Sequence, residues 1–317
     1  MREIARIPWN GLNVASTFSG GGGSCTGYRM AGYRVLYANE FIEEARSTYR
    51  ANHPASHLDS RDIRQVSSAE ILENARLGAG ELDILDGSPP CSSFSMAGKR
   101  ATTWGKAKAY SDGAQQVTDD LFFEYCRLLD GLQPKVFIAE NVAGLIRGEA
   151  KGYFKLILAA LRTAGYHVAV QLLDAQWLGV PQVRQRLIFI GVRRDLGRLP
   201  VFPQPLPYRY SVRDALPGIL AAYRDHRGIF GGGAPCTDTP APTVLADSVG
   251  THWIRDDVSS SRRKITIAEL QRVCSFPEDY VLTGTYAQQW ERIGRSVPPL
   301  MMRAISGTVR DRILSPQ

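Results

Sequence analysis

Two prolines stand directly before a lone cysteine in Gly87-Ser88-Pro89-Pro90-Cys91-Ser92-Ser93-Phe94-Ser95. Each proline holds φ near about −65° and lacks an N–H, so the chain enters Cys91 stiff and extended. Just upstream, Leu82-Asp83-Ile84-Leu85 reads as a short buried strand. A thiol is thereby held at the C-terminal edge of a sheet, where open α/β folds place their ligands. It is a candidate nucleophile. A free thiol has a pKa near ~8.5, and neighbouring positive charge populates the thiolate. Residues 92–118 carry Lys99, Arg100, Lys106 and Lys108 against Asp112 alone, and residues 184–194 carry four arginines and no acid. Glu140 follows the apolar run Val136-Phe-Ile-Ala, at the same edge as Cys91. In Gln182-Val-Arg184-Gln-Arg186, strand alternation places Arg184 and Arg186 on one side.

The elements that must position these groups alternate. Strands are expected at 12–18, 33–39, just before Asp62-Ile63, at 82–86, at 136–139, near 168–173 and at 187–192. Helices are expected at 24–31, 41–52, 119–131 and 152–163. This order predicts a doubly wound α/β sheet. Residues 195–262 are rich in Pro, Gly, Asp and Arg and lack helical periodicity, which resumes at 265. We divide the chain into a catalytic and cofactor-binding domain (1–194), a small inserted domain (195–262) and a C-terminal segment (263–317) that returns to the first domain.

The glycine loop after the first strand, Gly20, Gly21, Gly22 and Gly23, lets backbone approach a ligand. The dinucleotide spacing G-x-G-x-x-G fails, because Cys25 falls in the third place when Gly20 and Gly22 are the first two. Glu40, at the end of the second strand, is placed for ribose hydroxyls. Asp62, at the end of the third, suits an adenine amino group. Three strand ends in order describe a nucleoside pocket that fits S-adenosylmethionine better than NAD.

Composition narrows the setting. The 317 residues carry a net charge of +7, which permits a polyanionic partner. No apolar run is long enough to span a membrane, and the N-terminus lacks a signal-peptide core. Five cysteines without paired or metal-site spacing fit reduced thiols and a cytoplasmic, nucleoid-associated protein that binds no metal.

Taken in order, Phe18-Ser-Gly-Gly-Gly-Gly, Glu40, Asp62-Ile63, Pro89-Pro90-Cys91, Glu140-Asn141-Val142, Gln182-Val-Arg184-Gln-Arg186 and Gly294-Arg-Ser-Val297-Pro298 resemble the DNA cytosine-5 methyltransferases of prokaryotic or phage type. The resemblance covers about 1–193 and 263–317. It implies a Rossmann-like methyltransferase sheet with 195–262 as an inserted target-recognition domain. It also implies S-adenosylmethionine as cofactor and methyl transfer to C5 of a cytosine flipped out of duplex DNA. Cytosine C5 is too weak a nucleophile alone. A thiolate adding at C6 activates it, and charge then moves toward N3, which an acid can meet. The resemblance gives Cys91 the first role and Glu140 the second. Arg186 would bind the cytosine O2 and steady Glu140, and Arg184 would orient the cysteine and the nucleotide. Phe18, Glu40, Phe41, Asp62, Ile63, Pro90 and Leu121 would line the cofactor pocket with the glycines, closed by Arg295, Ser296 and Val297. The segment 92–118 resembles the loop that closes over the flipped base. Ser92, Ser95, Lys99, Arg100, Gln182 and Thr243 are the expected DNA contacts, Thr243 lying in a Thr-Val-Leu element.

Two departures from the family pattern stand out. Ser92 replaces a common glutamine, and Arg295 replaces a common asparagine. A guanidinium there points to solvent, pairs with an acid, or accepts a carboxylated donor such as carboxy-S-adenosylmethionine for carboxymethyl transfer. The alternative substrate is tRNA. The chain is expected to act as a monomer, with a restriction endonuclease as system-level partner.

Overall fold

Short aliphatic runs form the strands of one sheet in the computed structural model: β1 (Asn13–Thr17), β2 (Arg34–Asn39), β3 (His57–Asp59) and β4 (Ile84–Gly87). Two-residue strands β5 (Lys108–Ala109) and β6 (Gln115–Gln116) pair only with each other, and β7 (Val136–Asn141), β8 (Tyr166–Asp174) and β9 (Gln185–Arg193) complete the large sheet. Its order is β3-β2-β1-β4-β7-β9-β8. Neighbours run parallel except β9, which is antiparallel to both β7 and β8. The expected α/β sheet is present. The structure describes residues 1–90, 108–109, 115–116, 120–148, 150–224, 237–247, 249, 252–256 and 263–315. Cys91, Ser92, Ser95, Lys99 and Arg100 lie outside the described residues.

After a single turn α1 (Arg2–Ala5), the helices α2 (Gly23–Met30), α3 (Glu43–Asn52), α4 (Ser68–Ala75), α5 (Leu121–Leu132) and α6 (Ala150–Thr163) connect the strands. Sequence periodicity did not single out α4, yet a capping box starts it, with Ser67 and Glu70 each satisfying the other's backbone N–H. Strand side chains alternate between two cores. Val14, Ile84, Ile138 and Ile190 face α2 and the C-terminal helix, while Ala15, Leu85, Phe137 and Phe189 face α4, α5 and α6.

Strand order reverses between β1 and β4, which are paired with Thr17 opposite Gly87. The glycine loop and the Ser88-Pro89-Pro90 segment therefore leave the sheet side by side, at the switch point where doubly wound folds bind ligands. Gly87 is required there, since a Cβ would come within 2.5 Å of the Tyr125 ring and 2.6 Å of Thr17 Oγ1.

A further core gathers α7 (Val212–Ala215), β10 (Ile219–Arg224), β11 (His252–Asp256), β12 (Arg263–Lys264), α8 (Ile267–Val273) and α9 (Tyr286–Arg295). Val212, Ile219, Val244, Ile254, Leu270, Trp290 and Ile293 are buried in it. Residues on both sides of position 262 contribute. The last helix, α10 (Pro299–Val309), packs Met301, Met302 and Ile305 with α2 against the large sheet.

Candidate active site

The first strand end holds the cradle. Gly20 has φ +56° and a Cβ there would meet nothing within 4 Å, so it borders open space. Gly22 has φ +91°, and a Cβ would come within 2.5 Å of His53 Nε2, while one at Gly23 would meet the Val297 carbonyl at 2.5 Å. The loop is thus braced from behind by His53 and by Ser296-Val297. The Tyr280 hydroxyl donates to the Gly21 carbonyl. Burial pushes the His53 pKa down to about 3, so the imidazole is neutral at neutral pH. His53 and Tyr280 were not foreseen, because only the folded chain brings them behind the loop.

At the second strand end, Glu40 is buried and accepts N–H bonds from Gly20 at 2.7 Å and from Ile42 at 2.8 Å. Burial raises its pKa, and those donors and Arg292 partly offset the rise. Beyond the third strand, Asp62 caps the short helix Ile63–Gln65, accepting from the Arg64 N–H at 3.0 Å. Ile63, Leu121 and Phe18 meet in one apolar cluster, and Phe41 is half-buried beside Glu40 in sequence. The expected pocket residues of the first three strand ends therefore lie along one edge of the sheet.

Acid chemistry sits across the switch point. Glu140 pairs in register with Ile188, which places Arg186 on its diagonal and on the same face. The Arg186 Nε lies 2.6 Å from Glu140 Oε1, and both side chains are nearly buried. The adjacent Asn141 donates to the Pro89 carbonyl at 3.2 Å, pinning the double proline that leads to Cys91. Beneath lies Asp86, whose buried carboxylate accepts from Ser16 Oγ at 2.8 Å and from the Tyr28 hydroxyl at 3.1 Å. Burial pushes its pKa up to about 7. Nothing in the periodicity of Ile84-Leu85-Asp86 marks this acid as functional.

Arg184 is placed differently from Arg186. It is fully buried and donates to the Val244 carbonyl at 2.9 Å and to the Gly294 carbonyl at 2.7 Å. Burial and the charge of Arg186 lower its pKa to about 9, which leaves it cationic at neutral pH. Gln182, expected at the DNA surface, is also fully buried, donating to Cys274 Sγ at 2.9 Å and accepting from the Val244 N–H at 3.2 Å. In this arrangement it offers DNA no atom; alternation specified its side of the chain but not its depth. Thr243 donates to the Val183 carbonyl at 2.6 Å. These five bonds stitch the lead-in of β9 to the second core. Replacing Arg184 with Met strands two buried carbonyls, each costing about 1–3 kcal/mol. The expected result is a lower urea midpoint, by about 2–4 kcal/mol in unfolding free energy. An unchanged midpoint contradicts the clamp.

Arg295 is half-exposed and pairs with Glu291 one helical turn away, at 2.7 Å. The acid-paired outcome is the one observed, and it gives no support to a carboxylated donor. Among the described residues no cluster of metal ligands is found, and no helix is long and apolar enough to cross a membrane.

This fold and edge define a Rossmann-like α/β protein with its candidate site at the switch point of the sheet. The family model for C-5 cytosine-specific DNA methylases matches residues 12–228 and 247–310. The type II methyltransferase M.NgoPII of Neisseria gonorrhoeae is 34% identical over 204 residues, 64% of this chain and 54% of its own length. M1.HphI of Haemophilus parahaemolyticus is 30% identical over 334 residues, 94% of this chain and 86% of its own. Among solved structures, an E. coli prophage protein described as a DNA modification methyltransferase superposes with TM-score 0.74 at 20% identity, covering 96% of this chain and all of its own. A mutant of Spodoptera frugiperda DNMT2 gives 0.71 at 17% identity, with the same coverage. The chain belongs to the C-5 cytosine-specific DNA methylase family. It is a DNA cytosine-5 methyltransferase, and S-adenosylmethionine is the donor the family implies.

Proposed function

We propose that the chain methylates C5 of a cytosine flipped out of a specific duplex DNA sequence, through a covalent bond between Cys91 and C6. The observation that carries this reading is the Glu140–Arg186 pair at 2.6 Å, beside the pinned Pro89-Pro90 segment. The Cys91 thiolate adds to C6, and Glu140 supplies a proton or hydrogen bond at N3 as charge arrives there. Arg186 holds the Glu140 carboxyl and offers the remaining guanidinium face to the base O2. C5 takes the methyl group; its proton then leaves to a base, and the Sγ–C6 bond breaks to return the thiolate. Bound S-adenosylmethionine supplies an electrophilic methyl group on a sulfonium.

The residues fit that donor. Gly20 borders open space, Phe18, Ile63 and Leu121 form an apolar cluster, and Glu40 and Asp62 would accept from ribose hydroxyls and the adenine amino group, Asp62 while also paired with Arg64. Glu40 spends one bond per oxygen on backbone, and each oxygen retains a lone pair for a hydroxyl.

Residues 195–262 would read the target sequence, and Lys99 and Arg100 would contact phosphates. The names of the type II relatives support a restriction–modification role; in that role the chain would act in the cytoplasm as a monomer, with an endonuclease sharing its site. The test is transfer of labelled methyl groups to duplex DNA and to tRNA in parallel, followed by bisulfite sequencing. Label at one cytosine within a fixed DNA sequence is expected. Label in tRNA alone overturns the reading.

A further inference from the structure

Asp86, on β4, is 3% exposed and stands opposite Ser16 of β1 and Ile138 of β7. Glu140 lies two residues beyond Ile138, so its side chain leaves the sheet on the same face as that of Asp86. That face is the one where Ile84, Ile138 and Ile188 meet α2 and α10. One strand spacing and two residues of rise put the two acidic positions about 8 Å apart. Both hydrogen-bond donors to Asp86 are hydroxyls, Ser16 Oγ at 2.8 Å and Tyr28 at 3.1 Å, and among the described residues no cation pairs with it. The Cys25 thiol of α2 and the Tyr125 phenol of α5 also feel its charge, and burial keeps both neutral at neutral pH. Burial raises the Asp86 pKa, the two hydroxyls offset part of the rise, and repulsion from Glu140 adds to it. The fold is therefore favoured with this carboxyl neutral, and stability declines as pH climbs from about 4 to about 7. An acid kept at such a cost beside a reacting centre is a candidate for function.

We infer that Asp86 is a positioning residue for the Glu140 proton: its negative charge, on the same face of the sheet, opposes the arginines that favour the Glu140 carboxylate. This rests on the reading of Glu140 as the group that meets N3. For that role Glu140 must carry a proton, yet Arg186 lies 2.6 Å from it and Arg184 is also coupled to its charge. Two cations favour the ionised form, and a second carboxylate nearby favours the protonated one. The coupling is reciprocal. Ionised Glu140 favours a proton on Asp86, so ionised Asp86 favours a proton on Glu140 by the same factor. With the Asp86 pKa pushed up to about 7, that help is absent at lower pH and present at higher pH, where protons are scarce. The sequence shows only one more acid in a strand; register and burial make it a neighbour of Glu140.

The test is single-turnover transfer of labelled methyl groups to duplex DNA by wild type and Asp86→Asn, from about pH 6 to about pH 9, either side of the Asp86 titration. At about pH 6 the wild-type carboxyl is neutral like the amide, and the two rates are expected to agree. At about pH 8.5 Asp86→Asn is expected to be about 10- to 30-fold slower, the effect of a unit charge at about 8 Å with an effective dielectric constant near 20. A purely structural role lowers the rate equally at every pH, and that outcome overturns the inference. So does transfer by Asp86→Asn as fast as wild type at about pH 8.5. In Glu140→Gln, adding Asp86→Asn is expected to cause no further loss, and a further loss overturns the inference. If Asp86→Asn fails to fold, Tyr28→Phe decides. With one donor fewer the carboxyl ionises at higher pH, so a loss is expected near about pH 7.5 that fades by about pH 9; no loss, or a loss independent of pH, overturns the inference. Glu140→Gln as fast as wild type counts against the N3 reading itself, whatever Asp86 does.

Discussion

Cys91→Ser is expected to abolish methyl transfer while leaving S-adenosylmethionine affinity close to that of wild type. The hydroxyl of serine ionises far above neutral pH, so no nucleophile of useful strength remains to add at C6. Nothing in the proposed donor pocket depends on the thiol, because its proposed residues are Gly20 to Gly23, Glu40 and Asp62. Without covalent addition C5 keeps its poor nucleophilicity, so the expected residual rate is indistinguishable from background. A matched pair of assays checks this: calorimetric donor binding, and label transfer to duplex DNA. Retained turnover in Cys91→Ser removes the thiol from the reaction. Lost donor binding means that the substitution has disturbed the fold around the double proline.

Glu140→Gln is expected to lower kcat by about 10²- to 10⁴-fold, the range for loss of a general acid. The amide has the size of the carboxyl and still offers Arg186 an oxygen, so the 2.6 Å pairing is weakened but not emptied. It cannot pass a proton to N3 and recover it. The loss therefore belongs in kcat, with donor affinity unchanged, because Glu140 lies across the switch point from the cradle. Single-turnover kinetics separate the two quantities. A loss under about threefold, small beside the general-acid range, removes Glu140 from the proton transfer.

Sequence and structure agree most closely where periodicity and chain order act together. The central strands of the large sheet are short apolar runs that bury alternate residues on two faces, and Val136-Phe-Ile-Ala is such a run. The candidate cofactor groups Glu40 and Asp62 follow from that order, because they stand at successive strand ends. Depth was not readable. Arg184 and Arg186 share a side by alternation, but one is sealed against Val244 and Gly294 while the other reaches Glu140. Gln182 looked like a surface amide and is a buried joint between Cys274 and Val244. The second core was hidden because its members, from Val212 to Ile293, are far apart in sequence and its strands are short. Helices α8 and α9 carry capping boxes at Thr266/Glu269 and Thr285/Gln288, a local signal available from the sequence. His53 and Tyr280 carry no such signal; they matter only because folding sets them against the glycine loop.

The central claim is a covalent Cys91–C6 bond during transfer to DNA. The most direct measurement uses a duplex bearing 5-fluorocytosine at the methylated position, incubated with S-adenosylmethionine and analysed under denaturing conditions. Fluorine cannot leave C5 as a proton would, so release of the enzyme is blocked after methyl transfer. The account predicts a denaturation-resistant protein–DNA adduct with wild type, with the cross-linked peptide containing Cys91, and no adduct with Cys91→Ala. An adduct that persists in Cys91→Ala, or wild type that methylates ordinary duplex yet never traps on the fluorinated one, contradicts it.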